Sequence, residues 1–121
     1  YCKVSKAPEG QINSFQYLNL IYRGHITSNP DWSFVGVFVD EGKDARAQFD
    51  KMIRMCKEKK IDLILCKSVT RFAPNTTECI EYVKLLKRLG IGVIFEKENM
   101  NTLSEYGESI LTMCCSLYKT E

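Results

Sequence analysis

Apolar positions along the chain recur with two different periods, and the alternation between those periods predicts the order of elements. Residues 1–5, Tyr-Cys-Lys-Val-Ser, read as the end of a β-strand that delivers a serine. After a polar loop over 6–10, Phe15, Leu18, Tyr22 and Ile26 fall on one face of a helix spanning 12–26, which Ser28-Asn29-Pro30-Asp31 stops. The stretch 32–39 is apolar on both faces at Phe34, Val35, Val37, Phe38 and Val39. That is the pattern of a strand covered by helices on both sides, and it runs into Asp40-Glu41-Gly42. A helix over 45–59 turns Phe49, Ile53 and Cys56 inward, and 61–66 is a second continuously apolar strand. Asn75 with Glu78 forms a capping-box pattern for a helix whose inner face is Cys79, Val83, Leu86 and Leu89, with Gly90 as its stop. Residues 91–95 are a fourth strand. Thr102 with Glu105 reads as another capping box, opening a helix with Tyr106, Ile110, Met113 and Leu117 on one side.

Strand and helix thus alternate throughout, which predicts an α/β fold: a mostly parallel four- to five-stranded sheet with helices on both faces and right-handed crossovers. In a parallel sheet the C-terminal strand ends share one edge. Ser5, Asp40-Glu41-Gly42 with Arg46, residues 67–71, and Glu96-Lys97-Glu98 are therefore expected along one rim. The first strand is short for a buried strand, so several apolar residues are expected to precede Tyr1 in the full protein.

Composition narrows the chemistry. The 121 residues suffice for one domain with a real core, over 1–121. Seventeen Lys and Arg against fifteen Asp and Glu leave a net charge of +2, too balanced for a domain that grips nucleic acid by charge alone. No apolar run is long enough to span a membrane. The six cysteines include no C-x-x-C pair, which suggests reduced thiols in a cytoplasmic protein. His25 is the only histidine, so a histidine-based triad and most zinc sites are excluded. The phosphate-cradling glycine loops of nucleotide-binding proteins are absent.

What the rim does hold is a serine with several cations, Lys3, Arg46, Lys67 and Arg71. A hydroxyl attacking a phosphodiester needs positive donors around the charge that builds in the transition state, and arginine supplies them best through its permanent forked charge. The plain alternative is that these cations are solvated surface charges.

Five stretches decide for the sharper reading. They are Y-C-K-V-S, Q-I-N-S, P-D-W-S-F-V-G-V-F-V-D-E-G, K-S-V-T-R-F-A-P-N-T and F-E-K-E-N-M-N-T, the last followed by G-E-S-I-L-T. Together and in this order the chain closely resembles the catalytic domain of serine site-specific recombinases, the resolvase and invertase family, above all the large recombinases of phages and conjugative transposons. The resemblance implies that Ser5 attacks a DNA phosphodiester and forms a 5′-phosphoserine link, conserving the bond energy so that no cofactor is needed. It further implies Arg46 and Arg71 as phosphate-binding arginines, joined by Lys3 and Lys67, and Thr70 as a residue positioning Ser5 or its proton. Glu121 falls near a glutamate that opens the family's long dimerisation helix. Double-stranded DNA is the implied partner, with a homodimer or tetramer in the full-length protein. The stretch 1–121, without a DNA-binding region or most of that helix, is expected to be a monomer or weak dimer.

Departures from the family pattern accompany the match. Lys3 stands where the family has arginine, Pro74 where it has a second arginine after Phe72-Ala73, and Leu18 where a glutamine is common. Losing an electrostatic donor costs on the order of 10²–10³ in rate. Two functional readings follow: an enzyme of DNA strand exchange, or a catalytically decayed domain acting only in assembly. An unrelated phosphate-binding α/β protein is a third.

Overall fold

The computed structural model describes residues 1–4, 14–42, 44–104, 109, 112, 113 and 116. Its elements are β1 (Cys2–Val4), α1 (Ser14–Thr27), β2 (Val39–Glu41), α2 (Ala47–Lys57), β3 (Leu63–Cys66), α3 (Val69–Phe72), α4 (Thr76–Arg88), β4 (Gly92–Phe95) and β5 (Met100–Asn101). The alternation read from the sequence is present, with two additions, α3 and β5.

The five strands fall into two sheets instead of one. β1 pairs parallel with β2, and β3 pairs parallel with β4, which pairs antiparallel with β5. Between the two sheets the Tyr1 nitrogen donates to the Leu65 carbonyl at 2.6 Å, and no ladder joins them among the described residues. Residues 32–38, expected as strand, carry no ladder. β1 registers Cys2 on Val39, so pairing begins only at the end of that apolar run. Asp40 and Glu41 consequently lie inside β2 and not beyond it.

α2 buries Phe49, Met52, Ile53 and Cys56, adding Met52 to the anticipated stripe. In α4 the inner face is Cys79, Val83 and Leu86, whereas Leu89 sits at the C-cap and is 38% exposed. The Asn75 side chain accepts the Glu78 N–H at 2.9 Å, the anticipated cap, and Gly90 ends the helix at φ +80°. Phe49 is the hub of the core. Its ring meets Tyr1, Phe72 and Tyr82 edge-on at 5.2, 5.2 and 4.9 Å, and Phe72 meets Phe95 at 5.5 Å. Such pairs add ~0.5–1.5 kcal/mol each beyond area burial, and here they tie α2, α3, α4 and β4 to Tyr1, the residue before β1.

α1 departs from its anticipated packing: Phe15 is exposed, while Leu18, Tyr22 and Ile26 are half-buried. Thr102 also takes another role. Its hydroxyl accepts the Val93 N–H at 2.8 Å and is buried within the β4–β5 pair, so its oxygen serves the sheet. Ser109, Thr112 and Met113 are helical, as anticipated for this stretch, but Met113 is 73% exposed and not inward. Glu105, Tyr106, Ile110 and Leu117 lie outside the described residues.

Candidate functional site

The rim is built where β1 ends between the start of α2 and the α3 turn. β1 carries Lys3, whose ammonium donates to the Ala45 carbonyl at 2.9 Å. Burial, followed by the neighbouring Arg46 charge, lowers the Lys3 pKa. Arg46 occupies the N-cap position of α2. Its guanidinium lies 3.6 Å over the Phe49 ring and 5.9 Å from that of Tyr1, and Nη1 donates to the Phe72 carbonyl at 2.8 Å. The second nitrogen, Nη2, is buried and has no hydrogen-bond partner.

Arg71 comes from α3 and donates through Nη1 to the Lys3 carbonyl at 2.6 Å. The backbone of Lys3, two residues before Ser5, is thereby bound to an arginine that otherwise projects into solvent. Thr70 lies beside Ser68, their hydroxyl oxygens 3.3 Å apart. Lys67 is exposed at the end of β3, its carbonyl accepting the Lys97 N–H at 2.8 Å. The Cys2 thiol, raised by burial, feels Arg71, Lys67 and Glu96 as neighbouring charges. Lys3, Arg46 and Arg71 are thus brought together around β1 and α3, and Lys67 and Thr70 lie on the stretch running from the end of β3 into α3. Ser5, Cys114, Cys115 and Glu121 lie outside the described residues.

Pro74 is exposed directly before the α4 cap, and Ala73 ahead of it is extended at φ −142°, ψ 155°, the conformation a following proline enforces. Its place on the rim carries neither charge nor donor.

Two acidic residues that the sequence did not single out as structural organise this rim. Asp40 is buried and accepts three hydrogen bonds: from the Gln48 N–H at 2.9 Å, the Phe49 N–H at 3.1 Å and the Tyr1 hydroxyl at 2.7 Å. It caps α2 from a strand away, a partnership between residues eight and nine apart that matches no local capping pattern. Burial and this carboxylate push the Tyr1 hydroxyl pKa well up. Glu98, from the turn between β4 and β5, accepts the Val69 N–H through Oε1 at 2.7 Å, while its Oε2 is buried without a partner. Nearby, the Tyr22 hydroxyl reaches Glu96 at 3.3 Å, and burial with this carboxylate pushes its pKa up to about 12.

A separate cleft of 360 Å³ opens between α1, residues 32–38 and β3, walled by Tyr22, Ile26, Trp32, Phe38 and Met52. None of Lys3, Arg46, Lys67, Thr70 or Arg71 lines it, so the cationic rim is distinct from this cleft, whose wall also includes Asp31, Lys60 and Asp62.

Three comparisons bear on what this arrangement serves. The family described as the resolvase N-terminal domain matches residues 1–121. Among solved structures, the fold is similar to the N-terminal catalytic domain of TP901-1 integrase, with a TM-score of 0.67, 14% identity, and coverage of 98% of this chain and 94% of that one. It is also similar to a resolvase family site-specific recombinase from Streptococcus pneumoniae, with a TM-score of 0.64, 18% identity, and coverage of 98% and 87%. Comparison with curated proteins gives no match.

Proposed function

The chain belongs to the resolvase N-terminal domain family, and from that premise we propose that it is the catalytic domain of a serine site-specific recombinase. In this reading the Ser5 oxygen attacks a DNA phosphodiester, the phosphorus–O3′ bond breaks, and the proton leaving Ser5 is matched by the one gained at the 3′ oxygen. The 5′-phosphoserine link that results keeps the bond energy for rejoining to another 3′-hydroxyl. The observation that carries the reading is the gathering of Lys3, Arg46 and Arg71 around the end of β1, with Arg71 bonded to the backbone two residues before Ser5.

Arg71 is the cation best placed to receive the scissile phosphate, because its side chain reaches the chain that carries the serine. Arg46 spends Nη1 on the Phe72 carbonyl and buries its partnerless Nη2, so its part toward a phosphate is its permanent charge rather than a free fork. Lys67 contributes charge from the end of β3, and Thr70 orients Ser5 or its proton. Double-stranded DNA in the cytoplasm is the substrate. The full-length protein works as a homodimer or tetramer, and the stretch 1–121 alone is a monomer or weak dimer.

A second reading, a catalytically decayed domain acting in assembly, is favoured by Lys3 and Pro74. The Lys3 ammonium is held by the Ala45 carbonyl, and a lysine lacks the bidentate fork of an arginine. Pro74 leaves its corner of the rim without a donor. The experiment is covalent capture: the full-length protein is incubated with nicked DNA from the junctions of its own element, and protein–DNA adduct is resolved on a denaturing gel. Little adduct is expected from the unmodified protein. Pro74→Arg with Lys3→Arg should raise the yield on the order of tenfold or more, and Ser5→Ala in that background should abolish it. Efficient Ser5-dependent adduct from the unmodified protein would remove the decayed reading. Adduct that survives Ser5→Ala would remove the serine mechanism.

A further inference from the structure

α3 is only four residues long, yet it carries both Thr70 and Arg71. A single turn of helix has little stability of its own, so its geometry must come from what holds its ends. Ser68 occupies the N-cap position without capping through its side chain. The cap comes instead from Glu98, whose Oε1 accepts the Val69 N–H at 2.7 Å. At the other end, Arg46 Nη1 donates to the Phe72 carbonyl at 2.8 Å. A carboxylate at the N-terminal end and a guanidinium at the C-terminal end are the signs that the peptide dipoles of the turn favour.

Among the described residues, Arg46 Nη2 and Glu98 Oε2 are the two buried side-chain nitrogen or oxygen atoms left without a hydrogen-bond partner. Both belong to the pair that grips α3. Burying a polar atom without a partner is unfavourable, so these side chains are held there by the bond each makes to the α3 backbone and not by full satisfaction of their own polar groups. Glu98 is itself mounted on a fixed turn. The Glu96 and Lys97 N–H groups bond the Cys66 and Lys67 carbonyls at 2.9 and 2.8 Å, the Asn99 N–H bonds the Glu96 carbonyl at 3.2 Å, and Asn99 takes the left-handed conformation at φ +50°.

We infer that Glu98 is a positioning residue for Arg71: it holds the start of α3 so that the Arg71 guanidinium meets the end of β1 at the spacing the scissile phosphate requires. This rests on the recombinase reading above for its consequence in catalysis, though not for the clamp itself. Because small displacements of a positioned group cost rate steeply, the effect falls on the chemical step and not on DNA affinity.

The test has two arms, run on the full-length protein. The first is amide hydrogen exchange over Val69 to Phe72, which needs no activity. Glu98→Ala should speed exchange of this turn about tenfold or more with α4 unchanged, and Glu98→Gln, which keeps an amide oxygen for the Val69 N–H, should restore protection. The second is single-turnover adduct formation at saturating nicked DNA in the Lys3→Arg, Pro74→Arg background. Glu98→Ala should slow it about tenfold at unchanged DNA affinity. Glu98→Gln should recover most of the rate, and Glu98→Ala should add no further loss once Arg71 is alanine. Unchanged exchange and rate in Glu98→Ala would overturn the inference, as would a loss of rate fully additive with Arg71→Ala. If Glu98→Ala fails to fold, a Glu98→Gln protein with lost protection would overturn it equally. If no Ser5-dependent adduct forms in any background, the recombinase reading fails, and the exchange arm alone decides the clamp.

Discussion

Asp40 shows how one side chain can decide whether a rim exists. Its carboxylate joins β2, the first turn of α2 and the Tyr1 hydroxyl, so three donors lose their partner together when it is removed. Each buried donor left unpaired costs about 1–3 kcal/mol, partly relieved by water. Asp40→Ala should therefore destabilise the protein by about 3 kcal/mol, read as a lower urea midpoint with an unchanged slope. Asp40→Asn should cost less, because it keeps an acceptor. The same residue illustrates a limit of local patterns. Asp40-Glu41-Gly42 was legible as the end of a strand, but a cap delivered from outside the helix leaves no trace at capping distance in the chain.

At the scale of elements, helix α4 was the most legible. Asn75 and Glu78 sit at cap spacing, Cys79, Val83 and Leu86 repeat at helical intervals, and Gly90 takes the positive φ that ends the helix. Because the cap is exposed and local, Asn75→Ala should cost about 1 kcal/mol, seen in thermal unfolding, without altering the core. α3 was illegible for the opposite reason. Four residues are too short for a periodic signal, and the turn forms because Glu98 and Arg46 reach its ends from distant stretches. Residues 32–38 failed as a strand on similar grounds. Their apolar pattern is that of a buried strand, but a strand needs a neighbour's hydrogen bonds, and pairing with β1 starts at Val39.

For the molecule as a whole, two of the core's buried thiols, Cys56 and Cys66, keep their protons well above the usual range. Burial raises Cys56 and Cys66 from 9.0 to about 11. Below pH 9 folded and unfolded chains both hold these protons, and the thiols leave stability independent of pH. Between pH 9 and 11 the unfolded chain releases protons that the folded chain keeps, so stability falls as pH rises through that window. Urea unfolding at intervals from pH 8 to 11 should show the decline beginning near 9. Cys66→Ala should be less stable at every pH, through the small void it leaves, yet show a shallower decline.

What the amino-acid sequence determined by itself was the α/β alternation, the helical stripes of α2 and α4, and the family. Each of these is written in local periodicity or in ordered motifs that survive without contacts. The expectation that Lys3, Arg46, Lys67, Thr70 and Arg71 share one rim also came from it, since parallel strands align their C-terminal ends. Only the tertiary structure decided how these cations are spent. Lys3 goes to the Ala45 carbonyl, one arm of Arg46 to the Phe72 carbonyl and Arg71 to the Lys3 carbonyl, contacts between residues 26 to 68 positions apart. It likewise decided that the five strands of the described residues pair as two sheets, because which backbone groups face one another depends on register and packing rather than on the apolar pattern of any strand.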